Sequence, residues 1–189
     1  MQIHSSSEFN PNSSRGSFEN GLQSVLSRLY RTIERDTLVC ETVNELRESL
    51  QVNRVVLYYF YDRWHGQVTF EALSSPDYSI FGSTGADSCF NDDYAAMYLA
   101  GRVRAIDDIE TESISDCHRD FLRNLRVRAN LVVPVLIPRG LWGLLVAHHD
   151  QPRVWLRSHI ELMQDGASVL ATSPCILDTR NYSRSPFTG

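Results

Sequence analysis

The hydrophobic pattern of the first part of the chain predicts two helices followed by two strands. Apolar residues recur at helical spacing twice, at Leu22, Val25, Leu26, Leu29 and Ile33 and then at Val39, Val43, Leu46 and Leu50. Asp36 precedes the second run as a candidate helix N-cap. The stretch from Arg54 to Tyr61 is rich in Val, Leu, Tyr and Phe, and residues 67–73 alternate after a predicted turn at His65-Gly66. The pattern therefore predicts helix, helix, strand and strand.

The second part of the chain predicts a loop with short elements, a hairpin and a closing helix. Pro76, Gly82 and Gly85 make residues 74–87 a loop, and a short helix over 94–100 stops at Gly101. A short strand follows over 102–106, then a helix from an Asp116 N-cap to about Leu125, then strands over 131–137 and 141–148 joined by Pro138-Arg139-Gly140, and a last helix over 156–170. This order indicates an α+β fold, in which helices pack on an antiparallel sheet.

Length and composition fit one domain over residues 17–173. Residues 1–16 are rich in Ser, Asn and Gly, which predicts a tail that is disordered or foreign to the natural protein, and residues 174–189 read as a second disordered tail. The net charge of −5 argues against a nucleic-acid partner. No apolar run is long enough to span a membrane, and no signal-peptide core is present. We expect a cytoplasmic protein with reduced thiols and no structural zinc, since no cysteine pair has C-x-x-C spacing.

Two cysteines carry the candidate chemistry. Cys117 is followed by His118 at a predicted helix start, where an imidazole, exposed amides and the helix dipole favour a thiolate. Cys89 lies in the string Asp87-Ser88-Cys89-Phe90, in the predicted loop. The pair suggests covalent chemistry on a bound molecule rather than a disulfide.

These strings, together with Leu141-Trp142-Gly143-Leu144-Leu145-Val146-Ala147-His148-His149, give the chain a resemblance to a known family. It resembles the GAF domain of phytochromes, and most of all the cyanobacteriochrome branch. The Asp-x-Cys-Phe string is similar to that of the two-cysteine subgroup named for this motif. The resemblance covers nearly all of residues 17–173.

The resemblance implies a GAF fold, with a six-stranded antiparallel sheet and helices on both sides, that binds a linear tetrapyrrole. The pigment would be phycocyanobilin, phycoviolobilin formed from it, or both. Cys117 would form the stable thioether to ring A, and Cys89 would add reversibly to the central methine bridge. Asp87 would accept pyrrole N–H bonds, His118 would pack against the pyrroles, and His148 would lie near ring D. Light would isomerise the double bond between rings C and D, and switch the module between a blue-absorbing state and a longer-wavelength state, expected to be green.

The chain also departs from the family pattern at the propionate contacts. Met97 stands where some relatives have arginine, although Tyr98 matches, and Arg102 is the nearest alternative cation. Asp150-Gln151 follows the two histidines where family members often carry Cys-Ser.

Three functions compete at this point. The first is a photoreceptor module, which is no enzyme beyond self-catalysed pigment attachment and isomerisation, and which would pass its signal to output domains of a larger protein. The second is a non-photoactive GAF domain that senses a small molecule such as a cyclic nucleotide. The third is a thiol enzyme that uses Cys117 and His118, for which no third orienting group is evident. A homodimer stays open in all three.

Overall fold

The computed structural model describes residues 11–62, 65–85 and 92–179. Its helices are α1 Pro11–Ile33, α2 Thr37–Leu50, α3 Asp92–Leu99, α4 Asp116–Asn124, α5 Arg157–Leu170 and α6 Pro174–Leu177, with a 3₁₀ turn η1 at Pro76–Tyr78. Its strands are β1 Arg54–Asp62, β2 His65–Leu73, β3 Arg104–Ile106, β4 Ala129–Ile137 and β5 Gly140–His149. Within the described residues, no helix is both long and apolar enough to cross a membrane.

The strands form one antiparallel sheet in the order β2-β1-β5-β4-β3. The α+β prediction is therefore confirmed, but the described chain forms five strands rather than six. At the outer edge of β2, Gln67 makes only an isolated bridge with Thr84. The chain there is turned by Gly82, whose φ of +75° is left-handed, so it meets the strand edge briefly and does not extend along it.

The two faces of the sheet belong to different hydrophobic clusters. Odd-numbered residues of β1, such as Val55 and Leu57, join the main core, which α1, α2, α5 and α6 cover. Even-numbered residues, such as Val56 and Phe60, face the opposite side and belong to a second cluster. This alternation follows from the two-residue period of a strand. The second face is left for α3, α4 and the loops to cover.

The second helix begins as the sequence predicts. Asp36 caps α2, and its Oδ1 accepts a hydrogen bond from the Val39 N–H at 3.2 Å. Its Oδ2 also accepts from the Ser173 hydroxyl at 2.7 Å, which ties the start of α2 to the end of α5. The cap thus has a tertiary partner as well as a local one.

The ends of the fold differ from the sequence prediction. α1 begins at Pro11, inside the segment 1–16 that composition assigned to a tail. α6 lies inside the predicted tail 174–189, because Cys175 and Ile176 are buried against the main core. The segment that forms α6 has a weak helical pattern in the sequence, and burial of its two apolar side chains holds it against the core.

Two local predictions are wrong. His65 and Gly66 belong to β2 rather than to a turn, since they pair with Asp62 and Phe60 of β1. The N-cap of α4 is Ser115 and not Asp116, because the Ser115 hydroxyl accepts the His118 N–H at 3.3 Å. Both errors concern one or two residues at an element boundary.

We predict that Gly143→Ala destabilises the fold. A Cβ at Gly143 would lie 2.0 Å from the carbonyl oxygen of Tyr58 on the neighbouring strand, and backbone cannot move aside as a flexible side chain can. The free energy of unfolding should fall by about 1–3 kcal/mol or more, measured by urea denaturation. Gly21→Ala is the matched control, since nothing lies within 4 Å of a Cβ there and α1 should gain about 0.5–1 kcal/mol. Equal stability of the two variants would contradict the close strand contact.

Candidate functional site

A cavity lies between the second face of the sheet and α4. Its volume is about 150 Å³, and its wall is mostly apolar. The sheet contributes Val56, Tyr58, Phe60, Val68, Arg104, Asn130, Val132, Leu144, Val146 and His148, and α4 with its C-cap contributes His118, Phe121, Leu122 and Leu125. The remaining wall comes from Tyr98 of α3 and from Ile80, Ser83, Thr84 and Gly85. The main apolar core lies on the other side of the sheet, so this cavity is separate from it.

The sequence of α4 presents one face to the cavity. His118, Phe121, Leu122 and Leu125 lie three, four and seven residues apart, the spacing that places side chains on one side of a helix. Leu122 is buried, and it also packs in a small cluster under the 107–114 loop. His118 is thereby directed at the cavity from the first turn of the helix.

Cys117 lies beside His118 in the same first turn, as predicted, but its side chain is exposed and does not line the cavity. Its sulfur is disulfide-bonded in the structure, which differs from the sequence expectation, whereas Cys40 and Cys175 are free. Covalent chemistry at Cys117 therefore requires that this sulfur first be reduced.

Arginine side chains fasten α4 to the preceding loop. Arg119 Nε donates to the Ile109 carbonyl at 2.9 Å, and another guanidinium nitrogen donates to the Glu112 carbonyl at 2.9 Å. Arg104 of β3 pairs with the Glu112 carboxylate at 2.7 Å. These contacts set the position of the N-terminal turn of α4, and with it of Cys117.

His118 is a half-buried imidazole near a cation. Burial, and then the charge of Arg104, lower the pKa of His118 below its usual value. His118 is consequently neutral at pH 7 and keeps one nitrogen as a hydrogen-bond acceptor.

A buried arginine holds His148, a residue of the cavity wall. Arg54 is only 2% exposed, and its Nε donates to His148 Nδ1 at 2.9 Å. Its two terminal nitrogens donate to the carbonyl oxygens of Tyr78 at 2.9 Å and Leu125 at 2.7 Å. Burial lowers the pKa of Arg54 to about 10, so the guanidinium is still charged at pH 7. The cation thus connects β1, β5, η1 and the end of α4.

Asn130 of β4 supplies an acceptor that the described residues leave unused. It lies opposite His148 in the β4–β5 register and is 3% exposed. Its Oδ1 is buried and has no hydrogen-bond partner within the described part of the chain. A buried acceptor of this kind is costly unless a ligand or water donates to it.

The structure brings together some of the predicted site residues. His118, His148 and Tyr98 line the cavity. Burial raises the pKa of Tyr98 to about 12, so its hydroxyl is protonated. Asp87 and Cys89 lie outside the described residues.

Arg102 does not line the cavity, and Arg104 does. A terminal nitrogen of Arg102 lies 2.7 Å from Met97 Sδ, and its guanidinium carbon lies 5.6 Å from the centre of the Tyr94 ring. Sequence reasoning therefore selected the neighbouring arginine of the same segment, and it missed Arg54 and Asn130. The available signal was strand parity, since Arg54 shares its face with Val56.

Comparison with known proteins connects this arrangement to a family. The GAF domain model matches residues 34–173. An uncharacterized protein of Picosynechococcus sp. is 48% identical over 161 residues, which cover 85% of this chain and 99% of that protein. The circadian input-output histidine kinase CikA of Synechocystis sp. is 31% identical over 72% of this chain, and the chain spans only 22% of the kinase.

Solved structures share this fold over most of the chain. The blue-light absorbing form of the PixJ GAF domain of Thermosynechococcus elongatus is 36% identical with a TM-score of 0.64, over 77% of this chain and 87% of that one. The phycocyanobilin-bound GAF domain from a cyanobacterial phytochrome is 26% identical with a TM-score of 0.66, over 79% of this chain and 91% of that one.

We predict that Arg104→Gln raises the pKa of His118, because it removes the cation that disfavours the imidazolium. Arg102→Gln is the matched control and should leave this pKa unchanged, since Arg102 is engaged with Met97 and Tyr94. Histidine NMR titration of the two variants measures the difference. Equal pKa values for His118 in both would show that Arg104 does not act on the cavity.

Proposed function

Because the chain belongs to the GAF domain family, we propose that it is a photoreceptor module that covalently binds a linear tetrapyrrole, phycocyanobilin or phycoviolobilin. The observation that carries the proposal is Cys117-His118 in the first turn of a helix that forms one wall of an apolar cavity. Two structural neighbours are the blue-light absorbing PixJ GAF domain and a phycocyanobilin-bound GAF domain. Their chemistry suggests that this cavity takes the same class of ligand.

The described residues fit such a pigment. Val56, Val132 and Val146 offer an apolar wall to pyrrole rings, and the unused Asn130 Oδ1 offers an acceptor to an N–H group. Arg104 offers a cation to a propionate. The cavity volume of about 150 Å³ is below the roughly 300–1,000 Å³ usual for ligand sites, so a tetrapyrrole would extend through the open side of the cavity.

Cys117 is the proposed attachment residue. Cys117 is an exposed residue in the first turn of α4, next to His118, which lines the cavity. The neutral His118 can accept the thiol proton, and the α4 amides with the helix dipole favour the thiolate. The end of the pigment nearest to Cys117 would therefore be anchored at the α4 end of the cavity.

Cys89 and Asp87 are proposed to act from the segment after Gly85. Gly85 lines the cavity, and its N–H donates to the Tyr58 hydroxyl at 2.8 Å. Asp87 follows Gly85 by two residues and Cys89 by four, so chain connectivity keeps their Cα atoms within about 8 Å and about 15 Å of the Gly85 Cα. Asp87 would accept pyrrole N–H bonds, and Cys89 would supply the second, reversible thioether.

When bound, the tetrapyrrole supplies the light absorption, the isomerisable double bond between rings C and D, and a central bridge whose conjugation a sulfur bond interrupts. The residues of the chain would hold and tune it: Cys117 anchors, Asp87 accepts hydrogen bonds, His118 packs, and His148 lies at the ring D end. The module would alternate between a blue-absorbing state and a longer-wavelength state, which we expect to be green.

The signalling output is proposed to lie in a longer protein. The chain spans only 22% of the histidine kinase that it resembles. A light-driven change in the cavity could reach neighbouring domains through α1 and α6, which contact each other on the far face of the sheet.

We predict that Cys117→Ala, expressed with a phycocyanobilin supply under reducing conditions, loses nearly all covalently attached pigment. Zinc-dependent fluorescence of the denatured band measures attachment. Cys40→Ala is the matched control and should attach pigment as the wild type does, since Cys40 lies on α2, which packs on the face of the sheet opposite the cavity. Full labelling of the Cys117 variant, with peptide mapping to a residue other than Cys89, would refute the assignment. A colourless wild type would favour the small-molecule-sensing alternative.

We predict that Cys89→Ala keeps the pigment attached but loses the blue-absorbing state. Without a second sulfur, nothing interrupts conjugation at the central bridge, so photoconversion should link two longer-wavelength states. Absorption spectra after alternating illumination measure this. Ser88→Ala is the matched control and should retain the blue state. A blue state that persists in the Cys89 variant would make Cys89 a bystander.

A further inference from the structure

We infer that Arg54 is a positioning residue that holds His148 as the neutral Nε2–H tautomer, so that the free nitrogen of His148 is a fixed hydrogen-bond donor and selects an acceptor atom on the bound molecule. The inference rests on the proposed function only for the identity of that acceptor, for which a pigment carbonyl oxygen is the matching group. The tautomer itself is a property of this chain.

The argument begins with the chemistry of the two side chains. A guanidinium has five N–H donors and no acceptor. Arg54 Nε lies 2.9 Å from His148 Nδ1, so the Nδ1 atom must present a lone pair. A neutral imidazole carries one N–H, which must then be on Nε2. Protonation of His148 would place an N–H against the Arg54 N–H and a second positive charge beside the guanidinium, and both effects disfavour it.

Arg54 cannot easily turn away from His148. It is 2% exposed, and the carbonyl oxygens of Tyr78 and Leu125 hold its other two nitrogens. Arg54 and His148 are also direct partners in the β1–β5 register, so the backbone sets their separation. Contacts with β5, η1 and the C-cap of α4 thus hold Arg54 in the position that makes this hydrogen bond.

Nearby charged groups do not reverse this preference. Glu71 of β2 raises the pKa of Arg54 and keeps it charged, while its oxygens accept from the Ser79 hydroxyl and the Ile80 N–H. The Asp150 carboxylate is engaged by the Tyr78 hydroxyl, which donates to it at 2.7 Å.

From the other side of the cavity, His118 and Arg104 contribute a neutral ring and a second cation. Burial, and then Arg54, lower the pKa of His148 well below its usual value. Every charged group that acts on His148 from this side therefore also favours its neutral form.

The consequence concerns what the cavity accepts at this end. His148 and Asn130 both belong to the cavity wall and are direct partners in the β4–β5 register, and Asn130 Oδ1 is an unused acceptor. The pair offers one donor and one acceptor side by side on adjacent strands, which matches a lactam with its C=O and N–H. Because the donor does not titrate near neutral pH, pH changes in that range should not alter this contact.

The experiment is a ¹⁵N-histidine NMR titration of the full chain without pigment, with the His148 signals assigned by their loss in His148→Gln. The wild type should show His148 as the Nε2–H tautomer with no titration between about pH 6 and pH 8, where ordinary histidines titrate. An Nδ1–H tautomer of His148 or a titration in that range would overturn the inference, even if no Arg54 variant folds.

Arg54→Met tests the cause. It should produce an Nδ1–H population and raise the pKa of His148, while Arg54→Lys, which keeps a donor and a charge, should restore part of the wild-type behaviour. Arg102→Met is the matched control and should change nothing. An unchanged tautomer in a folded Arg54→Met variant would overturn the role of Arg54.

Pigment loading separates this inference from the proposed function. If the wild type shows the expected tautomer but takes up no pigment, the proposed function fails and the role of Arg54 stands. If pigment binds and His148 is the Nδ1–H tautomer, the proposed function stands and the role of Arg54 fails.

Discussion

The buried guanidinium of Arg54 is the constraint on which the site depends. A cation that is 2% exposed costs several kcal/mol unless its donors are matched. The structure matches them with His148 Nδ1 and two backbone carbonyls. Those carbonyls belong to η1 and to the C-cap of α4, so satisfying one charge also fixes the loop and the helix that enclose the cavity. Arg54 therefore organises the proposed ligand site although it does not itself line the cavity.

The division of labour between the two faces of the sheet explains how the chain tolerates such a polar site. The face toward α1, α2 and α5 is lined by Val55, Leu57, Leu131 and Leu145, all fully buried. Most of the apolar burial that stabilises the fold lies there. The other face can then hold a charged arginine, a neutral histidine and an unused amide oxygen, because these groups do not interrupt the main core.

The placement of Cys117 follows from the anchoring of α4. The helix carries apolar residues toward the cavity, and its Arg119 binds carbonyl oxygens of the 107–114 loop. In the first turn of α4, Cys117 is exposed and follows Asp116 directly before His118, which lines the cavity. A sulfur deep in the cavity would be desolvated and poorly nucleophilic, so an exposed position is the better one for covalent chemistry once the sulfur is reduced.

The sequence alone determined the elements whose signal is local. Helical periodicity located α2 and α5, β-rich runs located β1, β4 and β5, and Cys117-His118 was expected in the first turn of α4, where the structure has it. Boundaries were less well determined, because the pairing of His65 and Gly66 with β1 and the choice of Ser115 as the cap of α4 depend on contacts that the local pattern does not specify. The tertiary structure decided how many strands join the sheet and whether residues 174–177 fold.

It also decided which polar residues share the cavity. Arg102 and Arg104 are equivalent as sequence, and only the pairing of β3 with β4 directs the second toward His118. The hydrogen bond between Arg54 and His148 joins residues 94 positions apart, so no local pattern could reveal it. Secondary-structure propensity depends on neighbouring residues in the sequence. The hydrogen-bond partners of a buried charge depend instead on which strands and loops meet in the fold.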